Sequence, residues 1–537
     1  MTPEPRGGAP SPQFEGPPDP HPKIAGKKPL GTVISTEENP TTVDFAFVLE
    51  KEAGVKKNQF VQTANHEGTV FGLLKEITRA NRYFERAESV AEYEKEGPIS
   101  AHFPVDSWEY TVGEVKILGL MLEQGGKYRN WRVSLPPSPG AKVLPAPDRM
   151  LKDFVGFREN GLMLGKLQNH DVDAKIDMTR LLQKHLAVLA QSGAGKSHTV
   201  AVMLEELLDR KAEDGRISVV IIDIHGEYAG FKSDPNYSRR TRVIAGRDIS
   251  VPFSHLSPGM LGTWFPNMSG PARQEVAKIL KAMHSESKTT RQLFGLKDLI
   301  DRVLSSGIHQ NVKGTILRDL YELQAMRFIH PSKQKPNLYE AVKPGEMLVL
   351  DLSDLDEATK KKLLVTYIAS RLFKLRKKEK IPPFLLVVEE AHNFAPEKVK
   401  MAHSPSKSII EKIAREGRKF GAALCVVSQR PVQLSTTTLS QCNTHLILRV
   451  TNPNDLDHIG KSSEGIDSTM LRSITGLKVG EGIIVGEAVN YPIFVEIRDR
   501  KSKKMERGRP LHEQAISFEK EERRKEEEED EELEAFL

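Results

Sequence analysis

The stretch "LAQSGAGKSHTV", Leu189 to Val200, decides how the rest of this chain is read. Its core, Gly195-Lys196-Ser197, matches the end of G-x-x-x-x-G-K-[ST]. In that loop backbone N–H groups cradle phosphates, the lysine reaches the terminal oxygens and the hydroxyl holds Mg²⁺. Ala190 stands where the pattern has its first glycine, an exchange the loop tolerates if the backbone there keeps a negative φ. The flanks supply the context that a short pattern lacks. "HLAVLA" before it is a short apolar run of the kind that forms a buried parallel strand, and "VAVMLEELLDRK" after it carries apolar residues at helical spacing. Strand, loop and helix in that order place the loop at a helix N-terminus, where unpaired N–H groups and the dipole favour anions.

Working outward, residues 151–500 alternate strands with helices, which predicts an α/β fold with a parallel-rich sheet covered on both faces. The candidate strands are "HLAVLA", "SVVIIDI", "EMLVLDL", "FLLVVEE", "ALCVVSQ", "HLILRV" and "GEGIIVG". A predominantly helical insertion, about 270–330, lies between the second and third of these. Upstream, 28–135 reads as a small β-barrel: Val43, Phe45, Phe47 and Leu49 alternate as in a strand, and a helical excursion interrupts the pattern around "ANRYFERAESVAEYEKEG". The Pro-rich "LPPSPGAKVLPAPD" marks 136–150 as a linker, and 1–27, rich in Pro and Gly, is expected to be disordered. Residues 501–537 end in a charged helix or disordered arm.

Length and composition bound the function. A chain of 537 residues holds several domains. Its net charge of +5 conceals an uneven balance, because "EEEEDEE" (Glu526 to Glu532) makes the remainder more basic, as a nucleic-acid partner would favour. Cys425 and Cys442 have neither metal spacing nor a disulfide framework and read as core residues of a reduced protein. No apolar stretch is long enough to span a bilayer, and the N-terminal stretch has no secretion signal, so a soluble cytoplasmic protein without a membrane partner is expected.

The chemistry concentrates at strand ends. "FLLVVEEAH" ends an apolar run in paired carboxylates. In a P-loop ATPase one acid at this place holds the Mg²⁺ shell and the next orients the attacking water. Glu390 is the candidate base, and Glu389 takes the metal position usually filled by aspartate. Asp223, ending "SVVIID", is a second candidate for the Mg²⁺ shell through water, alongside Ser197. Glu227 stabilises a loop in this reading, and His225 packs or hydrogen-bonds. Gln429 in "ALCVVSQRP" can donate to a phosphate or the lytic water without titrating; a loop or helix cap is the alternative. "IAREGRKFG" carries Arg415, Arg418 and Lys419, any of which is either a surface cation or a charge supplied to a neighbouring subunit.

Taken together, "KHLAVLAQSGAGKSHTV", "IIDIHGEY", "LLVVEEAHNFAP", "IAREGRKFG", "VVSQRP" and "LILRVTNPNDL" resemble the archaeal HerA DNA translocases of the HerA/FtsK superfamily, over about 28–500. The resemblance implies a RecA-like P-loop core behind an N-terminal barrel. It implies a homohexamer that uses ATP and Mg²⁺ to drive double-stranded DNA through its pore, with a NurA-type nuclease as partner in resecting broken ends. Carried onto this chain, Gly193, Ala194, Gly195, Lys196, Ser197 and His198 bind phosphates, Glu390 is catalytic, Arg415 is the favoured finger in trans with Arg418 second, and Lys184 nears the nucleotide. The resemblance also lets "VNYPIFVEIRDR" cover a neighbouring site. Lys398 and Lys400, or the basic residues of "FKSDPNYSRRTR", are candidate DNA contacts. A conjugation or segregation ATPase and a protein-remodelling ring ATPase would share this chemistry.

Overall fold

The computed structural model describes residues 28–35, 39–51, 53–95, 97–124, 127–399, 404–463, 465–504 and 511–536. The N-terminal stretch 1–27 and Lys400 lie outside them. The chain divides into two compact units. One comprises Met1–Glu159, Lys166–Ala174 and Val489–Glu496, the other Asn160–Gly165, Lys175–Ala488 and Ile497–Leu537.

The first unit is built on seven strands, β1 (Gly31–Ile34), β2 (Asp44–Leu49), β3 (Phe60–Asn65), β4 (Gly68–Asn81), β5 (Glu109–Gln124), β6 (Lys127–Trp131) and β7 (Lys142–Pro145). Their order is β2-β1-β7-β3-β4-β5-β6, and an additional β2–β5 pairing closes the sheet on itself. Closure leaves few free edges. Phe45 and Phe47 point inward among Val61, Val70, Leu74, Val115 and Val143, whereas Val43 precedes β2 and is exposed. β4 and β5 form one long hairpin, Thr69↔Met121 through Asn81↔Glu109, and the helical excursion spans its far end. Two features depart from the sequence reading. The Pro-rich stretch contributes β7, which pairs with β1 and β3; proline is compatible with a short strand whose pairing is limited. The unit also recruits residues from beyond 150: Phe154 stacks between Phe71 and Tyr491, and His170 Nε2 accepts from the Phe60 N–H at 3.0 Å.

Eight strands of the second unit are β8 (Leu186–Leu189), β9 (Ser218–Asp223), β10 (Thr241–Ala245), β11 (Met347–Asp351), β12 (Phe384–Val388), β13 (Ala422–Ser428), β14 (Thr444–Ile447) and β15 (Glu481–Gly486). They hydrogen-bond in the order β10-β11-β9-β12-β13-β8-β14-β15. Every pairing is parallel except β14–β15. β8, β9, β12 and β13 are buried at every position, which is why they read as unbroken apolar runs rather than alternating ones. All seven expected strands form. β10 adds an eighth; "TRVIA" has an exposed Arg242 and no apolar run to announce it. The insertion is helical as expected, with helices Pro258–Trp264, Gly270–Thr290, Leu296–Ser305 and Gln310–Ala325 between β10 and β11. Residues Leu511–Phe536 form a charged helix, and no helix among the described residues is long and apolar enough to cross a membrane.

Two histidines are sunk into this sheet. His185, at φ 66° just before β8, accepts the Leu424 N–H at 3.0 Å, and His445 in β14 bonds Ser463. Both are 2% exposed, and burial pushes each down to about 4. A folded-state value below the unfolded value of roughly 6.5 means that the unfolded chain binds more protons between those limits, so stability is complete above 6.5 and is lost as pH falls towards 4. Each histidine then withdraws about 2 kcal/mol by pH 5. Thermal melting from pH 7 to pH 5 should show this loss, and His445→Asn should flatten the slope in that window; an unchanged slope would place His445 outside the titration.

Candidate functional site

The parallel strands end in register, Ile222 opposite Val388, Val388 opposite Val426, and Leu189 opposite Ser428. The loops that follow therefore gather at one sheet edge, where open α/β sheets bind ligands. The helix Lys196–Asp209 starts there, with Gly195 at its N-cap in a left-handed conformation, φ 94°. Gly193 is also left-handed, at φ 77°, and a side chain at either position would be strained. Ala190 keeps out of that region, so its lack of glycine freedom costs nothing.

A cavity of about 900 Å³ opens over this turn. Gly193, Gly195, Lys196, Ser197 and His198 line it, as do Glu390, Gln429, His225 and Glu227. Ala194 is buried in the same turn. Lys196 projects between the acids: its Nζ contacts Glu390 Oε1 and lies 3.3 Å from Glu389 Oε2. Burial works against the ammonium, but the Glu389 and Glu390 carboxylates outweigh it and hold Lys196 above the ordinary lysine value. Burial pushes Glu389 up to about 7, against the pull of Lys196 and of the Tyr228 hydroxyl that donates to its Oε1. Glu390 sits at φ 46°, a left-handed backbone for a non-glycine residue of the strained kind that gathers at functional sites. His392 Nδ1 lies 3.4 Å from Glu390 Oε2 and 3.1 Å from the Ser428 hydroxyl.

The remaining expectations divide. Asp223, expected in the Mg²⁺ shell through water, stands behind the cavity lining. It is fully buried, outside the cavity lining, and both its oxygens accept loop N–H groups, those of His225, Gly226, Glu227 and Tyr228. It shapes the loop that presents Glu227 and Tyr228. Glu227, expected only to steady a loop, faces the cavity. Lys184 is at the wrong end of the phosphate strand: it precedes β8, roughly 13 Å of strand from the loop, and pairs with Glu487. Arg415 is half-exposed on the helix Pro405–Glu416, 3.6 Å from Glu411. Arg418 and Lys419 are exposed, and none of the three lines this chain's own cavity. Lys398 is exposed.

The segment "VNYPIFVEIRDR" brings Asp499 and Arg500 to the cavity, and Lys504, which the sequence reading missed, faces the loop from the same C-terminal side. A strap holds them there. Glu205, buried on the phosphate-loop helix, accepts from Arg498 at 2.8 Å and from both the N–H and hydroxyl of Ser502; Arg498 also pairs with Glu206, and its carbonyl meets His198 Nε2 at 2.9 Å. The segment expected to cover a neighbouring site thus ends on its own chain's cavity.

These residues fit a nucleotide with Mg²⁺. Glu227, Glu389 and Glu390 each keep one buried carboxylate oxygen without a hydrogen bond, beside the lysine, the Ser197 hydroxyl and the helix N-terminus. Acid in excess of base at a phosphate cradle matches a cation that takes one or two protein oxygens and completes its shell on phosphates.

Removing the Tyr228 hydroxyl takes away a donor that favours ionised Glu389, so Tyr228→Phe should raise that carboxyl further. The acid limb of the pH–rate profile for nucleotide hydrolysis should move up by about one unit. A profile that stays in place would mean that Glu389 does not titrate in the reaction.

Comparison with known proteins agrees with this geometry. Residues 162–372 match the family model described as the central domain of helicase HerA. The DNA double-strand break repair helicase HerA of Pyrococcus furiosus is 30% identical over 85% of this chain and 90% of its own length. A probable helicase of Methanocaldococcus jannaschii is 29% identical over 85% of this chain and 89% of its own. Among solved structures, VirB4 of Thermoanaerobacter pseudethanolicus superposes with a TM-score of 0.50 at 18% identity, over 64% of this chain and 98% of that one, a likeness of fold. With a phosphate cradle, a lysine held by two acids and relatives matched over most of their length, the chain belongs to the HerA helicase family and is a P-loop ATP hydrolase.

Proposed function

We propose that this chain hydrolyses ATP at the cavity over Lys196 and spends it on moving double-stranded DNA in the repair of double-strand breaks, as a homohexamer working with a NurA-type nuclease. One observation carries the reading: Lys196 sits between Glu389 and Glu390 at the aligned ends of parallel strands. Family membership supplies the DNA substrate, since the Pyrococcus furiosus relative is a DNA double-strand break repair helicase.

The phosphates lie along Gly193, Ala194, Gly195, Lys196, Ser197 and His198, with Arg500 and Lys504 facing them. Mg²⁺, when bound, would neutralise phosphate charge, and Ser197 and Glu389 would hold it. Glu390 takes the proton of the attacking water, its carboxylate freed when Lys196 turns to phosphate, and Gln429 orients that water. Arg415, with Arg418 as second choice, reaches the site of the adjacent subunit. Its exposure and its place outside its own chain's cavity support that assignment. Residues 151–500 carry the motor, and 28–135 serve ring assembly and nuclease docking. Lys398 and Lys400 are proposed to meet DNA phosphates.

Glu390→Gln should bind ATP normally while DNA-stimulated hydrolysis falls by about 10² or more, read as steady-state turnover with and without linear duplex. Hydrolysis indifferent to duplex would remove the DNA motor and leave a protein-remodelling ATPase. Subunit mixing tests the ring. Arg415→Ala and Glu390→Gln chains, each inactive alone, should regain turnover when mixed, because some interfaces then join an intact Glu390 to an intact arginine. No recovery at any ratio would assign the finger to another residue.

A further inference from the structure

A second cavity, of about 500 Å³, lies in the ATPase unit away from the phosphate loop. Its wall joins the start of the insertion to the helices Ala358–Lys377 and Pro405–Glu416. Three cations line it, Arg371, Lys374 and Lys412, together with His255, His284 and several serine and threonine hydroxyls, and no acidic residue does. Several cations of this unit are met by carboxylates, as Arg498 is by Glu205 and Glu206 and Lys461 by Asp457. Arg371, Lys374 and Lys412 form no ion pair among the described residues. Arg371 Nε is buried without a hydrogen-bond partner. A buried guanidinium donor left unmade is costly, and its presence in a cavity points to an acceptor that binds there.

The wall chemistry narrows that acceptor. His255 Nδ1 lies 2.8 Å from the Tyr367 hydroxyl, and burial with Arg371 and Lys374 nearby pushes His255 down to about 4. The two histidines therefore add no charge at neutral pH, and the positive field comes from the arginine and two lysines. A planar guanidinium, two mobile ammonium groups and surrounding hydroxyls suit the several oxygens of a phosphate, which offers denser charge than a single carboxylate.

We propose that this cavity is a second phosphate-binding site, separate from the ATP site, in which Arg371, Lys374 and Lys412 hold a phosphate group borne by a free phosphorylated molecule or by a nucleic-acid backbone. Arg371 is the fixed element, since it is the least exposed of the three cations, and Lys374 and Lys412 close on the ligand from two helices. The site is independent of hydrolysis, because none of its residues lines the ATP cavity.

Inorganic tripolyphosphate is a suitable probe, titrated calorimetrically at low salt into the full-length protein with its ATP cavity held by a saturating non-hydrolysable ATP analogue. One site per chain is expected, weakened about tenfold or more in the Arg371→Gln/Lys374→Gln background. Lys374→Gln alone, at an exposed position that folding does not need, should weaken binding severalfold. Without the analogue, both variants should keep basal ATP hydrolysis, which separates loss of this site from loss of the motor. Competition by a short duplex would identify backbone phosphate as the source, and its absence a free phosphorylated ligand. No titratable site, or affinity untouched by both substitutions, would overturn the proposal.

Discussion

Lys196 held between Glu389 and Glu390 is the interaction on which the rest of the second unit depends. Two carboxylates, 1% and 3% exposed, cannot remain buried and ionised without a counter-charge, and removing the lysine from such a cluster would leave an uncompensated pair. The ammonium comes from the first turn of the helix that follows β8, the acids from the turn after β12, and β13 lies between those strands. The pair therefore fastens non-neighbouring strands at their ligand-facing ends. It also stores the means of a switch: each contact Lys196 makes with an acid is one it must give up to meet a phosphate. Binding a polyphosphate would hence release the Glu390 carboxylate from the ammonium, which couples occupancy of the loop to the state of that acid.

A second buried charge extends the same logic to the end of the chain. Glu205 is fully buried on the inner face of the phosphate-loop helix, a place where leucine would pack at no electrostatic cost. It is satisfied by Arg498 and Ser502, and Lys501 reaches Glu206 and Asp209 on the same helix. Hydrogen bonds spread over Glu205 hold its carboxyl below the usual value even though burial opposes this. The strap thus exchanges apolar packing for position: Arg500, between residues 498 and 502, is fixed in the lining of the cavity over the loop, and Phe231 lies against its guanidinium at 5.8 Å. Movement of the loop helix and movement of Arg500 become one event.

The legible part of this molecule was whatever the chain expresses locally. Strands buried on both faces announced themselves as unbroken apolar runs, and the acids at their ends were visible because a parallel sheet places every strand terminus at one edge. β10 was invisible for the converse reason, as an edge strand with Arg242 in the open and only Ile244 and Thr241 buried. β7 hid among prolines. Tyr228 is separated from Glu389 by 161 positions and Arg498 from Glu205 by 293, and no periodicity links them. Lys184 was placed by resemblance to a position near the nucleotide, and a strand's length sets it apart. Asp223 was correctly seen at a strand end, yet its four backbone donors belong to the loop's own geometry, which residue types do not reveal.

Why a left-handed glutamate is kept at Glu390 follows from the same constraints. β12 delivers Val388 to the sheet edge fully buried, and an extended continuation would carry the next two side chains to opposite faces of the sheet. Only one acid could then meet the lysine. Reversing the backbone at Glu390, φ 46° and ψ 49°, turns its side chain back beside that of Glu389, so that two consecutive residues reach one ammonium. The same reversal starts the short turn Ala391–Asn393, which brings His392 against Glu390 and Ser428. The cost of that backbone, on the order of 1–3 kcal/mol, is offset by the ion pair it permits. The two acids are thereby made unequal: Glu389 stays out of the cavity lining, meets the Tyr228 hydroxyl and is raised by burial, while Glu390 lines the cavity beside Lys196. With identical side chains in adjacent positions, it is the reversal of the backbone at Glu390 that gives one acid to the interior and the other to the cavity.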